Sequence, residues 1–235
     1  HLLIIESFQS NAFVGSCLVD MYAKCGLLHD AHKVFEDLYK QDVTEWNAMI
    51  AGYVQQKQKA NAFGLFMKLQ REGIQPTKFT LSCILKACDN IEQCVKIHDQ
   101  VIVSALGSDI VVGTALIDTY AKCSSILEAQ EMFDKMKVRN VVSWTTLMCG
   151  YMDHGYVECA IELCNVMQSE GISPNVVTYL CALKACASIG SIENGKNLHI
   201  QILKMGLENA NQQRIGHILI TFYIKSGMFE EARKI

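Results

Sequence analysis

Apolar and small residues return along this chain at i, i+3, i+4 and i+7, the spacing of one buried face of an α-helix. Ala31, Val34, Phe35 and Leu38 follow it, as do Ala62, Leu65, Phe66 and Leu69. So do Ala129, Met132, Phe133 and Met136, then Ala160, Leu163, Cys164 and Met167. Gly195, Leu198, His199 and Ile202 make a weaker copy. Strand-like alternation is sustained nowhere. Gly26, Gly155, Gly190 and Gly227 sit ahead of such segments, where a left-handed residue can close a preceding helix. The pattern predicts an all-α chain of helix-turn-helix units.

The pattern also repeats itself, 98 residues further on. Ala23-Lys24-Cys25 returns as Ala121-Lys122-Cys123, Trp46 as Trp144, and Glu72-Gly73-Ile74 as Glu170-Gly171-Ile172. Pro76 and Pro174, the two prolines of the chain, are also equivalent, as are Leu85-Lys86-Ala87-Cys88 and Leu183-Lys184-Ala185-Cys186. A fixed period of this size predicts a stacked array whose exposed face carries the function. The landmarks divide the array as follows. Residues 1–11 read as the tail of a preceding repeat. Short repeats span 12–42 and 110–140, standard repeats 43–77 and 141–175, and a third, long type 78–109 and 176–212. A partial short repeat occupies 213–235. The two long-type repeats differ in length, the Asp89–Val95 turn being expected to be shorter than its counterpart Ala187–Lys196.

Composition narrows the function classes. Half of the 235 residues are hydrophobic and 19% are charged, against about 25% charged in an average soluble domain. That suits units burying surface against both neighbours. A net charge of −3 does not advertise nucleic-acid binding, so such a role must rest on local geometry. The 11 cysteines include no Cys-x-x-Cys pair, the usual half-site for zinc. Recurrence of Cys25 with Cys123, Cys83 with Cys181 and Cys88 with Cys186 predicts small reduced thiols packed like alanine. No apolar run is long enough to span a membrane. The chain begins at His1 and reads as an internal fragment whose targeting peptide lies elsewhere.

A short, a standard and a third repeat in rotation resembles the pentatricopeptide repeat family, specifically its PLS subclass from plant organelles. The strings that carry this are Phe13-Val14-Gly15 through Met21-Tyr22-Ala23-Lys24-Cys25-Gly26 for the short repeat. Trp46-Asn47-Ala48-Met49-Ile50-Ala51-Gly52-Tyr53 carries it for the standard one. Thr80-Leu81-Ser82, Leu85-Lys86-Ala87-Cys88 and Ile97-His98 carry it for the third. The related tetratricopeptide signature, Trp-x2-Leu-Gly-x2-Tyr, is absent. The resemblance implies a right-handed α-solenoid superhelix: about twelve helices, plus one or two from the partial repeat. It implies sequence-specific binding of single-stranded organellar RNA in a mitochondrion or chloroplast, at about one base per repeat. It implies no cofactor and no enzymatic activity of this chain. The alternative on the residues alone is a protein-interaction solenoid of tetratricopeptide-like type.

Three positions per repeat carry the RNA expectation. The second residue wedges between bases: Phe13, Thr44, Phe79, Val111, Val142, Val177 and Arg214, with Phe13, Val111 and Val142 the best suited. The fifth and last residues read the base edge: Ser16 with Asp42, Asn47 with Thr77, Ser82 with Asp109, Thr114 with Asn140, Thr145 with Asn175, and Leu180 with Gln212. An amide matches the donor and acceptor of adenine, whereas an ionised carboxylate accepts from the two donors of guanine. Asn47 resembles a pyrimidine choice, Leu180 cannot hydrogen-bond, and the third repeat type is a poor reader in this family. Read from 5′ to 3′, the expected target is G, pyrimidine, any base, A, A, any base. Lys24, Lys122 and Lys225 recur at one helix position. The resemblance places them beside phosphates, while the residues alone allow solvated helix ends favoured by the macrodipole.

The remaining constellations lean towards structure. Trp46 and Trp144 are expected to anchor the core, and His98 and His199 to pack or cap. His29 and His32 have no further metal ligands nearby. Members of the PLS subclass often carry a C-terminal deaminase-like domain for cytidine-to-uridine editing. No His-x-Glu and no Pro-Cys-x-x-Cys occurs here. A deaminase is therefore expected in the missing C-terminal region or as a partner in trans, with no zinc in this chain.

Overall fold

The computed structural model describes residues 12–38, 41–205 and 207–235, with side chains from 14, 41 and 214 onward in the three segments and up to 205 in the second. Residues 1–11, and the side chains of Phe13 and Gln212, lie outside the described residues. Among the described residues there are helices and no strands, as the apolar spacing predicts. First helices of the repeats are α1 (Ala12–Lys24), α3 (Val43–Gln55), α5 (Lys78–Leu85), α7 (Ile110–Lys122), α9 (Val141–Asp153), α11 (Val176–Ile189) and α13 (Leu207–Lys225). Second helices are α2 (Leu28–Asp37), α4 (Lys59–Arg71), α6 (Ile91–Val103), α8 (Ile126–Lys135), α10 (Val157–Ser169), α12 (Ile192–Lys204) and α14 (Phe229–Arg233). The chain divides into two compact halves, residues 1–119 and 120–235. Among the described residues no helix is long and apolar enough to cross a membrane.

One hairpin turn serves most repeats. At its apex the chain takes a left-handed residue: Gly26 (φ 78°), Gly155 (φ 79°), Gly190 (φ 67°) and Gly227 (φ 73°). The next amide then reaches back across the last turn of the first helix, as Leu27 does to Tyr22 at 2.9 Å and Tyr156 to Tyr151 at 2.9 Å. The same turn is made by Lys57 (φ 58°) and Ser124 (φ 62°), the counterparts of Gly155 and Gly26. A Cβ in this region crowds the following carbonyl, at a cost of about 1–2 kcal/mol. Ser124→Gly and Lys57→Gly should therefore each raise the unfolding free energy by about 0.5–1 kcal/mol, part of the relief being offset by a freer unfolded chain. Denaturant titration checks this, and no shift in midpoint would contradict it.

Within each half the first helices lie side by side. The α1–α3 and α3–α5 contacts do this in the N-terminal half, and the α9–α11 and α11–α13 contacts in the C-terminal half. Second helices back onto them and close the core. The tryptophans lie in that core, as expected. Trp46 meets Phe35 edge-on with centroids 4.8 Å apart, and Trp144 meets Phe133 at 4.7 Å. Both indoles are 1% exposed. Gly52 lets α3 approach α1, since a Cβ there would lie 2.9 Å from the Ala23 methyl; Gly150 meets Ala121 in the same way at 2.9 Å.

Helix α13 runs unbroken from Leu207 to Lys225, the Glu-, Asn- and Gln-rich run 208–213 containing no Gly or Pro to stop it. Two sequence expectations need correction. The extra residues of the second long-type repeat lengthen its first helix rather than its turn. Thus α11 has 14 residues and ends at Ile189, capped by Gly190, whereas α5 has 8. Cys25 is exposed, unlike Cys88, Cys181 and Cys186, so recurrence at matched positions did not mean burial in every case.

Candidate nucleic-acid interface

A helix turns 100° per residue, so positions 2, 5, 9 and 13 of a full-length first helix fall on one side, within about 80° of one another. Position 2 on this side is apolar and open to solvent in four repeats. Phe79 and Val111 in the N-terminal half are each 52% exposed, and Val142 and Val177 in the C-terminal half are 52% and 48% exposed. An isolated exposed valine needs no explanation, but the same exposure at one position of successive repeats does. Thr44 and Arg214 occupy this position as exposed polar residues.

In the repeats ending at Asp42, Thr77, Asp109, Asn140 and Asn175, the last residue turns out to be the N-cap of the next first helix. Asp42 Oδ1 accepts from the Thr44 amide at 2.6 Å, while its own amide donates to Glu45 Oε2 at 2.8 Å, a reciprocal capping box. Thr77 caps with Thr80, Asn140 with Ser143, and Asn175 with Thr178 in the same way. Asn140 Oδ1 accepts from the amides of Val142 and Ser143, both at 3.0 Å. Asn175 Oδ1 accepts from the Thr178 amide at 3.0 Å and its hydroxyl at 3.1 Å. Capping thus consumes the oxygen of each amide and leaves the Nδ2 hydrogens as the donors available to a ligand.

The fifth residue is tied into the same network. Ser16 donates to Glu45. Asn47 donates through Nδ2 to the Thr77 hydroxyl at 3.3 Å and accepts from the Thr80 hydroxyl at 2.5 Å. The Thr145 and Thr178 hydroxyls meet at 2.7 Å. Thr114 donates to its own helix, at the Ile110 carbonyl, 2.7 Å away. Fifth residue, last residue and the third residue of the following helix therefore form one polar unit in these packed neighbours. The third residue is the member that sequence reasoning missed. Glu45 is 5% exposed, and Thr80, Ser143 and Thr178 are fully buried. The Asp-x-x-Glu, Thr-x-x-Thr and Asn-x-x-Ser/Thr spacings were the available signal.

Electrostatics separate the two carboxyls of the first such unit. Hydrogen bonding with Glu45, helped by the Thr44 amide, holds Asp42 below its ordinary range, so it is ionised and accepts only. Burial pushes Glu45 above its ordinary range. The long-type repeats offer less to a base. The Ser82 hydroxyl is spent on the Phe79 carbonyl at 3.0 Å, and Leu180 is 7% exposed. Asp109 caps Val111 and Val112 at 2.8 and 3.2 Å and lies 3.4 Å from Lys78.

Lys24, Lys122 and Lys225 are exposed at the ends of their helices. Lys24 carries its own counter-ion, however, with Nζ 2.7 Å from Asp20. Lys86 and Lys184, which the sequence reading passed over, stand exposed at position 9 of the long-type repeats. His199 packs edge-on against Tyr223 and bonds its hydroxyl at 2.8 Å, and His32 pairs with Glu36 at 3.2 Å. Among the described residues no three His, Cys, Asp or Glu side chains converge as metal ligands.

The sequence model of the PPR repeat family matches residues 41–90 and 139–188, and that of the PPR repeat matches 16–43 and 114–141. A mitochondrial pentatricopeptide repeat-containing protein of Arabidopsis thaliana is 35% identical over 239 residues, covering 100% of this chain and 37% of its own length. A chloroplastic one from the same plant is 32% identical over 239 residues, covering 100% of this chain and 29% of its own. The chain thus spans about a third of the length of these relatives. Among solved structures, the pentatricopeptide repeat protein PPR10 in complex with an 18-nt psaJ RNA element aligns with a TM-score of 0.48 at 18% identity, covering 99% of this chain and 46% of that one. PPR10 from maize aligns with a TM-score of 0.44 at 18% identity, covering 99% and 45%.

Proposed function

Because this chain belongs to the pentatricopeptide repeat family, we propose that it binds single-stranded RNA sequence-specifically, about one base per repeat, in support of organellar RNA editing or processing. The segment is a binding array rather than an enzyme. A mitochondrion or chloroplast is the compartment, in line with the names of its relatives. Any base chemistry falls to a deaminase elsewhere in a longer protein or in trans.

The observation that carries this reading is the recurrence of a half-exposed apolar residue, Phe79, Val111, Val142 or Val177, one turn before the fifth residue of its repeat. Apolar side chains there separate and stack the bases, while the neighbouring polar groups meet the pairing edges. Ser16 with the ionised Asp42 takes guanine, and Asn47 with Thr77 takes a pyrimidine. Thr145 with Asn175 takes adenine through the Asn175 Nδ2 donors; Asn140 takes adenine by the same donor chemistry, and Thr114 stands at the fifth position of its repeat. Phe13 serves as the wedge of the first repeat by its register.

A gel-shift with random single-stranded RNA tests this directly. The wild-type chain should bind, and replacing Val142 and Val177 together by Ser should weaken binding to every sequence. Fully burying a valine side chain stabilises by about 1.5–3 kcal/mol, so partial burial against bases at two sites should make the combined loss roughly tenfold or more. Binding that survives the substitution unchanged would remove the wedge from the account.

A further inference from the structure

We propose that the long-type repeats act as phosphate clamps, Lys86 and Lys184 each binding a backbone phosphate of the RNA while the base beside them goes unread. The inference rests on the RNA-binding reading and assigns these repeats a separate task within it.

Position 9 of the repeat differs by repeat type, in both copies; in the first long-type repeat it is Lys86, the C-cap of α5, which keeps helical backbone angles (φ −65°, ψ −17°). Short repeats place Asp20 and Asp118 there, standard repeats Ala51 and Cys149, and long-type repeats Lys86 and Lys184. Position 9 lies two turns beyond the wedge and on the same side of the helix. Lys86 therefore follows Phe79, and Lys184 follows Val177, along one exposed side.

Charge compensation separates these lysines from Lys24. The Lys24 ammonium sits 2.7 Å from Asp20 on its own helix, so an RNA phosphate must compete with a carboxylate for it. Among the described residues neither Lys86 nor Lys184 has an ion pair, and no acid stands one turn before either: Ser82 and Leu180 occupy those places. In a chain of net charge −3, an uncompensated cation beside a stacking residue is where a phosphate gains most.

The fifth position completes the argument. The Ser82 hydroxyl is turned to the Phe79 carbonyl at 3.0 Å, and Leu180 has no hydrogen-bonding group. Beside their wedges these repeats offer a cation and, at the fifth position, no free reader. Their nucleotides are held by stacking and charge alone, which spaces the read bases without selecting at that point.

The test uses the full 235-residue chain with a mixed-sequence single-stranded RNA between 50 and 200 mM salt. Two phosphate contacts on a single strand correspond to a change of about 1.4 in the logarithmic salt slope. Lys86→Gln with Lys184→Gln should flatten the slope by that amount, so that over the fourfold salt range wild-type affinity falls about sevenfold more than the variant's. Lys86→Arg with Lys184→Arg should restore it, and Lys24→Gln with Lys122→Gln should change it by less than half as much. The RNA sequence selected by the glutamine variant should be that of the wild type. An unchanged slope, or a loss confined to particular sequences, overturns the clamp while leaving RNA binding standing. Failure of the wild type to bind RNA overturns both.

Discussion

Replacing Asn140 and Asn175 together by Asp should turn two adjacent adenine preferences into guanine preferences without unfolding the chain. Both asparagines are N-caps whose Oδ1 is committed to the amides of the following helix. Aspartate caps as well as asparagine, and its charge at a helix N-terminus adds about 0.3–1 kcal/mol of favourable interaction with the macrodipole. Stability is therefore kept or slightly raised. The atom left for the ligand changes completely: an amide Nδ2 donor becomes a carboxylate oxygen that only accepts. The adenine ring nitrogen that accepted a hydrogen bond now faces negative charge, whereas the two pairing-edge donors of guanine are matched. Hydrogen bonds to charged groups contribute about 1.5–3 kcal/mol, so preference should shift by more than tenfold at each position. Competition between two RNAs that differ only by A-A against G-G in the middle of the target measures it. Retained adenine preference in a folded variant would mean that these residues do not read bases.

Trp144→Ala should destabilise the C-terminal half by about 3–5 kcal/mol, the usual cost of emptying a large aromatic site in a core. The indole is 1% exposed and lies edge-on to Phe133 at 4.7 Å. Above the pair sits the Arg139 guanidinium, 4.7 Å from the Phe133 centroid and 6.0 Å from that of Trp144. Arg139 also fastens the loop after α8, donating to the Phe133 and Asp134 carbonyls at 3.1 Å each, a task that Gln41 performs at 2.8 Å in the other copy. Removing Trp144 thus strips the support of both a core site and a connection. The indole N–H has no partner among the described residues, so Trp144→Phe should cost markedly less than the alanine change. Repeat arrays distribute stability among neighbours, and the loss should appear as early unfolding of one part of the chain. Guanidinium titration reads this, and a loss under about 1 kcal/mol would contradict the packing described.

Much of the helical architecture was legible because period and chemistry agree. Ala31, Phe35, Ala62, Phe66 and Leu69 obey helical spacing and are all buried, and the positive-φ glycines stand where the pattern breaks. What was not legible arises where one side chain has two duties. Asn140 and Asn175 looked like readers, and their capping role emerges only when the next helix begins at the following residue. Glu45, Thr80, Ser143 and Thr178 look like an ordinary polar first turn. Nothing in the chain says that the preceding first helix packs over them. The Asp20–Lys24 pair was readable as an i, i+4 contact, and the acid neutralises the lysine that recurs at that helix position.

Selection of bound RNA from a random single-stranded pool by the wild-type chain tests the central claim most directly. The account predicts enrichment, read 5′ to 3′, of G, a pyrimidine, any base, A, A and any base, with the two adjacent adenines the most constrained. Sequences recovered in the proportions of the starting pool, or a consensus lacking those adenines, would contradict it.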